Sequence, residues 1–190
     1  MAVGVLALQG AVREHLEVFA RLEIEATPVR TREEVAAVEA LVLPGGESTT
    51  IGKLMERYGL RDAILELAAS GRPLLGTCAG MILMAKRIEG GIQDQPRLGV
   101  MEITVRRNAF GRQVESFEAD IPFRGIEDGP ARGVFIRAPI ITEVGPGVEV
   151  LAEYAGQVVA ARQNNLLVLS FHPELTADAR IHQYFLEMRG

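Results

Sequence analysis

The stretch LLGTCAGMIL (74–83) joins two apolar runs at a single cysteine, Cys78, with Gly76 two positions before it and Gly80 two after. The run leading in, RPLLGT (72–77), is short and continuously apolar, the pattern of a strand buried on both faces. The run leading out, AGMILMAKRI (79–88), predicts a helix. Gly76-Thr77-Cys78-Ala79-Gly80 therefore has the form G-x-C-x-G, a nucleophile elbow with sulfur in place of the serine hydroxyl. Such a turn lifts its central side chain above the sheet on strained backbone. Glycines are needed on either side where neighbouring chain passes too close for a Cβ. A helix N-terminus aimed at the sulfur favours the thiolate. The Ala79 N–H stands where it can donate to an oxyanion. A lone cysteine can equally be a small buried hydrophobe, and the elbow alone leaves both readings open.

The same strand–turn–helix rhythm extends outward from the elbow. Strands are expected at 3–8, 23–29 and 39–44, and helices at 12–22, from a cap at Ser48, and at 61–69. This βαβα order implies a mostly parallel central sheet with helices on both faces and right-handed crossovers. Beyond residue 97 the pattern turns strand-rich, at 98–107, 132–139, 147–154, 157–163 and 165–171, with Ala155-Gly156 as a hairpin turn. An amphipathic helix follows at 176–188. The expectation is one α/β domain over 1–190 with a small antiparallel extension.

Composition narrows the function classes. With 190 residues, 48% hydrophobic and 24% charged, the chain has material for one full core. A net charge of −5 disfavours a sequence-general nucleic-acid binder, which needs a basic face. No apolar run reaches the length of a membrane span. The apolar start MAVGVLALQG has no basic leader and reads as a first strand, not a signal peptide. One cysteine forms no internal disulfide, which fits a reducing, cytoplasmic location. Three histidines without cysteine partners suggest no metal site.

A thiol nucleophile needs a base. His172 ends the apolar strand NLLVLSF and is followed by Pro173 and Glu174. The proline fixes the turn, so Glu174 can accept a hydrogen bond from one imidazole nitrogen while the other faces the thiol. His15 and His182 fall in amphipathic patterns and look like ordinary helix residues. The plainer alternative is a strand-end histidine beside a solvated glutamate. LPGGEST (43–49) ends a strand in Pro-Gly-Gly and starts a helix. Such a loop presents backbone N–H groups to an anion or a carbonyl, or is simply a turn with a cap. It lacks the lysine and spacing of a P-loop. Arg107 falls on the strand face of Ile103 and Val105, and Arg137 ends an apolar strand. Each either reaches to water or receives a carboxylate.

Taken together, LPGGEST, GTCAGM and SFHPEL resemble the three signatures of the triad (class I) glutamine amidotransferases. LQGAVREH, RRNAFGRQVESFEAD and GVFIRAP resemble one branch, the glutaminase subunits of pyridoxal 5′-phosphate synthase. Glutaminases for imidazole glycerol phosphate or anthranilate synthesis usually carry leucine after the cysteine, where this chain has Ala79. The resemblance implies a flavodoxin-like fold and hydrolysis of L-glutamine to glutamate and ammonia. Cys78 would be the nucleophile, His172 the proton carrier and Glu174 its orienter. Gly46 and Ala79 would supply oxyanion N–H groups. Gly46, Glu47, Ser48, Arg107, Ile136 and Arg137 match glutamine-binding positions, and Gln9 and Gly10 would sense a partner. That partner is a synthase subunit that takes the ammonia. Pyridoxal 5′-phosphate is then the product of the assembly and not a cofactor of this chain. The Gly45–Gly46 peptide is expected to flip freely. Three alternatives remain: a glutaminase for another pathway, with the same triad, a redox-sensing cysteine protein built on the same elbow, or a non-catalytic regulatory module, which the presence of all three triad candidates disfavours.

Overall fold

The computed structural model describes residues 2–90, 95–109 and 116–188. In its first half, β1 (Val3–Leu6), β2 (Ala26–Val29), β3 (Ala40–Leu43) and β4 (Leu74–Thr77) alternate with helices α1 (Val12–Arg21), α2 (Arg32–Ala37), α3 (Ser48–Arg57) and α4 (Leu60–Ala69). The elbow then leads into α5 (Ala79–Met84), which gives way at once to β5 (Ala85–Glu89). The second half runs through β6 (Met101–Arg106), β7 (Ser116–Ile121), β8 (Ala131–Ile136), β9 (Ile140–Val144), β10 (Glu149–Tyr154), β11 (Gln157–Gln163) and β12 (Leu166–Leu169). A 3₁₀ turn (Pro173–Leu175) and α6 (Arg180–Glu187) follow.

The parallel half of the main sheet has the order β2-β1-β3-β4-β12. From β12 the sheet continues through antiparallel β11 and β9 to β6 and β5, with β10 against β11. β7 and β8 form a separate antiparallel ribbon. The expected mostly parallel, flavodoxin-like sheet with an antiparallel extension is therefore observed.

Period-two alternation sorts the parallel strands into two cores. Leu41, Leu43, Leu74 and Val168 face α3, α4 and α5, meeting Ile51, Met55, Ile64 and Met81. Ala40, Val42, Leu75, Leu167 and Leu169 face the other way, onto Phe19 of α1, Phe185 of α6 and Phe135 of β8. Helices thus cover both faces. Every catalytic candidate leaves the sheet at one edge, because the parallel strands all end there. The chain reverses its winding between β1 and β3, and that is where an open α/β sheet leaves a crevice.

Three expectations are corrected. The helix predicted over 79–88 stops at Met84; Ala85 is extended (φ −65°, ψ 141°) and 85–89 pairs with β6. Strand pairing wins there because Lys86 and Arg87 find Glu102 and Glu143 on neighbouring strands. Ser48 is not the cap of α3; Glu47 is, its carboxylate accepting the N–H groups of Thr49 (3.2 Å) and Thr50 (2.7 Å). The last helix starts at Arg180 rather than 176, since 173–175 is taken by the 3₁₀ turn. α2, β7 and β9 were not anticipated. Part of the RRNAFGRQVESFEAD motif, 110–115, lies outside the described residues. Among the described residues no helix is long and apolar enough to cross a membrane.

Candidate active site

Cys78 has φ 48° and ψ −99°, a backbone conformation that L-residues rarely adopt. Its N–H donates to the Leu169 carbonyl (2.8 Å), which fastens the elbow to β12. The flanking glycines answer close approaches. A Cβ on Gly80 would lie 2.1 Å from the Leu43 carbonyl oxygen, and one on Gly76 would lie 2.7 Å from the Gly80 backbone. The turn closes only if both positions lack a side chain.

His172 stands three residues past the end of β12, its N–H bonded to the Val134 carbonyl of β8 (2.8 Å). Pro173 opens the 3₁₀ turn and swings Glu174 back under the ring. His172 Nδ1 and Glu174 Oε1 are 2.7 Å apart, both residues buried. Cys78 is the imidazole's other partner and favours its charged form. Cys78 Sγ also lies 3.9 Å from the Ile136 carbonyl, a long contact even for sulfur. Burial opposes charge on His172, but the bonds to Cys78 and Glu174 outweigh it and raise its pKa to about 10. Burial likewise opposes charge on Glu174, yet its carboxyl stays below the usual range. A charged His15 would contribute to that, but complete burial lowers the His15 pKa and keeps it neutral. The bond from His172 is the cause that stands. Thiol, imidazole and carboxylate thus form a line able to move a proton and hold an ion pair.

These groups open on a cavity of about 390 Å³, lined also by Gln9, Gly10, Gly46, Glu47, Ser48, Arg107, Ile136 and Arg137. Every candidate named from sequence except Ala79 and Glu174 lines it. Ala79 heads α5 beside the sulfur, and Glu174 lies behind His172. Arg107 Nη2 is 3.5 Å from Glu47 Oε1 and its Nη1 donates to Gln95 Oε1 (3.2 Å). Gln95 in turn donates to Ser48 Oγ (3.0 Å). Gln95 was missed, and no local pattern marks it.

The Gly45–Gly46 peptide, expected to flip freely, is held in this structure by hydrogen bonds to the neighbouring loop and strand. The Gly45 carbonyl accepts the Ala11 N–H (3.0 Å), and the Gly45 N–H donates to Thr77 Oγ1 (3.0 Å). A flip has to break the first of these bonds. Because the peptide is trans, the Gly46 N–H points away from Ala11. Gln9 Oε1 accepts the Glu47 N–H (2.8 Å), a second tie between the two loops. Gly10, at φ +108°, is needed in this pairing: a Cβ there would lie 1.9 Å from the Gly45 oxygen.

His15 and His182 are not ordinary helix residues. Both are fully buried, their rings touch, and His15 lies directly behind Glu174. Their helical spacing in the sequence hid this, since each is one turn from apolar neighbours on the same face.

Comparison with known proteins sharpens the picture. The SNO glutamine amidotransferase family matches residues 5–189. A protein of Niallia circulans named pyridoxal 5′-phosphate synthase subunit PdxT is 56% identical over 99% of this chain and 97% of its own. A protein of the same name from Pelotomaculum thermopropionicum is 57% identical over 98% of this chain and 94% of its own. A crystal structure of a glutamine amidotransferase superposes with a TM-score of 0.94, at 55% identity, covering 99% of this chain and 98% of that one. PurLQS from Thermotoga maritima shares the fold alone, with a TM-score of 0.72 at 17% identity.

Proposed function

The chain belongs to the SNO glutamine amidotransferase family, and from that premise we infer that it is the glutaminase subunit of a pyridoxal 5′-phosphate synthase. It hydrolyses L-glutamine to glutamate and passes the ammonia to a synthase subunit. The residues act within a single amidotransferase domain over 1–190. Identity of 56% and 57% over nearly the whole length of two proteins named pyridoxal 5′-phosphate synthase subunit PdxT supports this pathway over the other glutaminase pathways.

The observation that carries the mechanism is the buried His172–Glu174 bond of 2.7 Å with Cys78 on the far side of the ring. Cys78 as thiolate attacks the side-chain amide carbon of glutamine. Charge develops on the amide oxygen, where the N–H groups of Gly46 and Ala79 receive it. The imidazolium of His172 then protonates the departing nitrogen, and ammonia leaves a γ-glutamyl thioester. Water, deprotonated by the now neutral His172, attacks the thioester and releases glutamate. Glu174 holds the ring in one orientation throughout and stabilises its charged form.

Glu47, Ser48, Arg107, Ile136 and Arg137 receive the amino-acid end of the substrate. Arg107 and Arg137 supply positive charge for the α-carboxylate, and Glu47 supplies negative charge for the α-ammonium. Gln9 and Gly10 sense the partner. Ala11, beside Gly10, bonds the Gly45 carbonyl and the Gln9 side chain bonds the Glu47 N–H, so docking near this loop sets the direction of the Gly46 N–H between them. Pyridoxal 5′-phosphate is the product of the assembly and not a cofactor of this chain, and the location is the cytoplasm.

Glutamate release with and without the synthase subunit, compared between wild type and Cys78→Ala, tests the reading. Partner-stimulated release lost in the variant is the expected result. Equal release by both proteins contradicts it.

A further inference from the structure

Behind the triad lies a buried polar cluster that the mechanism above does not use. His15 Nε2 is 3.3 Å from Thr77 Oγ1 and 3.5 Å from Glu174 Oε1, and His15 Nδ1 is 3.0 Å from His182 Nε2. All four residues are buried. Thr77 immediately precedes the nucleophile and accepts the Gly45 N–H from the oxyanion loop. His15 lies in the first turns of α1, directly after the Gln9–Gly10–Ala11 loop that ties the Gly45 carbonyl. One imidazole thus meets the triad carboxylate, the strand that carries the thiol and the anchor of the oxyanion loop.

We propose that His15 is a positioning residue of the glutaminase reaction: its Nε2–H, set in that tautomer by the Glu174 carboxylate, steadies Glu174 Oε1 and Thr77 Oγ1 together. The triad carboxylate is thereby tied to the oxyanion loop. The proposal rests on the triad reading above and adds a residue to it.

Two tautomers compete. With hydrogen on Nε2, His15 turns a donor toward the ionised carboxylate, and its Nδ1 lone pair accepts from His182 Nε2–H. What remains unpaired is the His182 Nδ1 lone pair, which has no partner among the described residues, and the Thr77 hydroxyl proton loses His15 as an acceptor, since its oxygen then takes the N–H groups of both His15 and Gly45. With hydrogen on Nδ1, the Thr77 hydroxyl proton gains an acceptor. However, a ring lone pair then faces the carboxylate, and a His182 N–H is stranded in the core. Each tautomer leaves one buried donor unmade, the Thr77 O–H in the first and the His182 N–H in the second, so the repulsion between a ring lone pair and the ionised carboxylate decides for the first.

A doubly protonated ring is excluded by burial. Desolvation lowers the His15 pKa, and it takes His182 down to about 3. The charged and titratable groups around the pair are Glu174 of the 3₁₀ turn and His172 just before it, Glu14 of α1, and Arg21 and Asp178 near His182. The phenyl ring of Phe19 closes the far side, edge-on to His182 at 5.2 Å.

The test uses the protein assembled with its synthase subunit. His15→Phe removes the donor and keeps an aromatic ring. Its kcat should fall about tenfold, the size of one hydrogen bond to a charged acceptor, with KM changed less than about twofold. Loss of that donor raises the Glu174 pKa, so the acid limb of kcat/KM should move to higher pH. His15→Gln, which still offers an N–H, should recover most of kcat and return the acid limb. A His15→Phe enzyme with wild-type kcat and pH profile overturns the proposal. So does a loss of kcat that His15→Gln does not recover and that leaves the pH profile in place. ¹⁵N NMR of the wild-type imidazoles gives a reading that needs neither a variant nor turnover, so it stands even if the glutaminase reading fails. It should show His15 as the Nε2–H tautomer at neutral pH; an Nδ1–H or doubly protonated His15 overturns the proposal.

Discussion

Cys78 and His172 define each other's chemistry. The sulfur is the strongest favourable partner of the imidazole, acting against burial to lift its pKa to about 10. Cys78→Ala removes that partner and leaves the desolvation in place. The His172 pKa should therefore fall, read by NMR titration of its ring Cε1–H; an unchanged value contradicts the pairing. Arg107 reaches into the cavity already held by Gln95 and within 3.5 Å of Glu47. Its proposed role is to hold substrate rather than the transition state. Arg107→Ala should raise KM by about tenfold or more with a smaller effect on kcat, measured by steady-state glutaminase kinetics of the assembled enzyme.

The elements matter for where they end. β1, β3, β4 and β12 finish at one edge and deliver Gln9, Gly46, Cys78 and His172 to a single crevice. α5 can follow β4 so tightly only because Gly80 lies against the Leu43 carbonyl of β3. Gly80→Ala should destabilise the fold by about 1–3 kcal/mol, as overpacking against backbone does, and lower activity with it. Thr31→Ala offers the contrast. It removes the capping box of α2, with Thr31 Oγ1 and Glu34 exchanging hydrogen bonds far from the cavity. It should cost about 1 kcal/mol in urea unfolding and leave kcat unchanged. These two sites also show what could be read from sequence. The elbow was legible because G-x-C-x-G is local and its constraint is steric. The T-x-x-E box of α2 was equally local, but the six-residue helix behind it buries only Val35 and shows no period. β5 was misread because its strand character comes from partners on β6 and β9, far along the chain. Glu47 was legible as a loop residue but not as the cap. The role of His15 depends on Glu174, 159 positions away, and no window of sequence contains both.

At the scale of the molecule, the site is a buried charge system held by the whole fold, and stability should record it. The His172 pKa is raised from 6.5 to about 10, so its contribution is fully present below pH 6.5 and is lost as pH rises toward 10. His172→Gln should flatten that loss, seen as a shallower fall of the urea midpoint between those pH values than in wild type. The elbow does not by itself separate a glutaminase from a redox-sensing thiol. The Cys78–His172–Glu174 line, the cavity with its two arginines and the family membership do, because a redox sensor would leave them without a task. The most direct test of the account is glutamate release from L-glutamine, measured for wild type and Cys78→Ala, each alone and with the synthase subunit. The account predicts weak release by wild type alone, strong stimulation by the partner, and none above background for Cys78→Ala in either state. Full activity of wild type without the partner contradicts the coupling of the Gln9–Gly10 loop to the oxyanion peptide, and release by Cys78→Ala contradicts the triad itself.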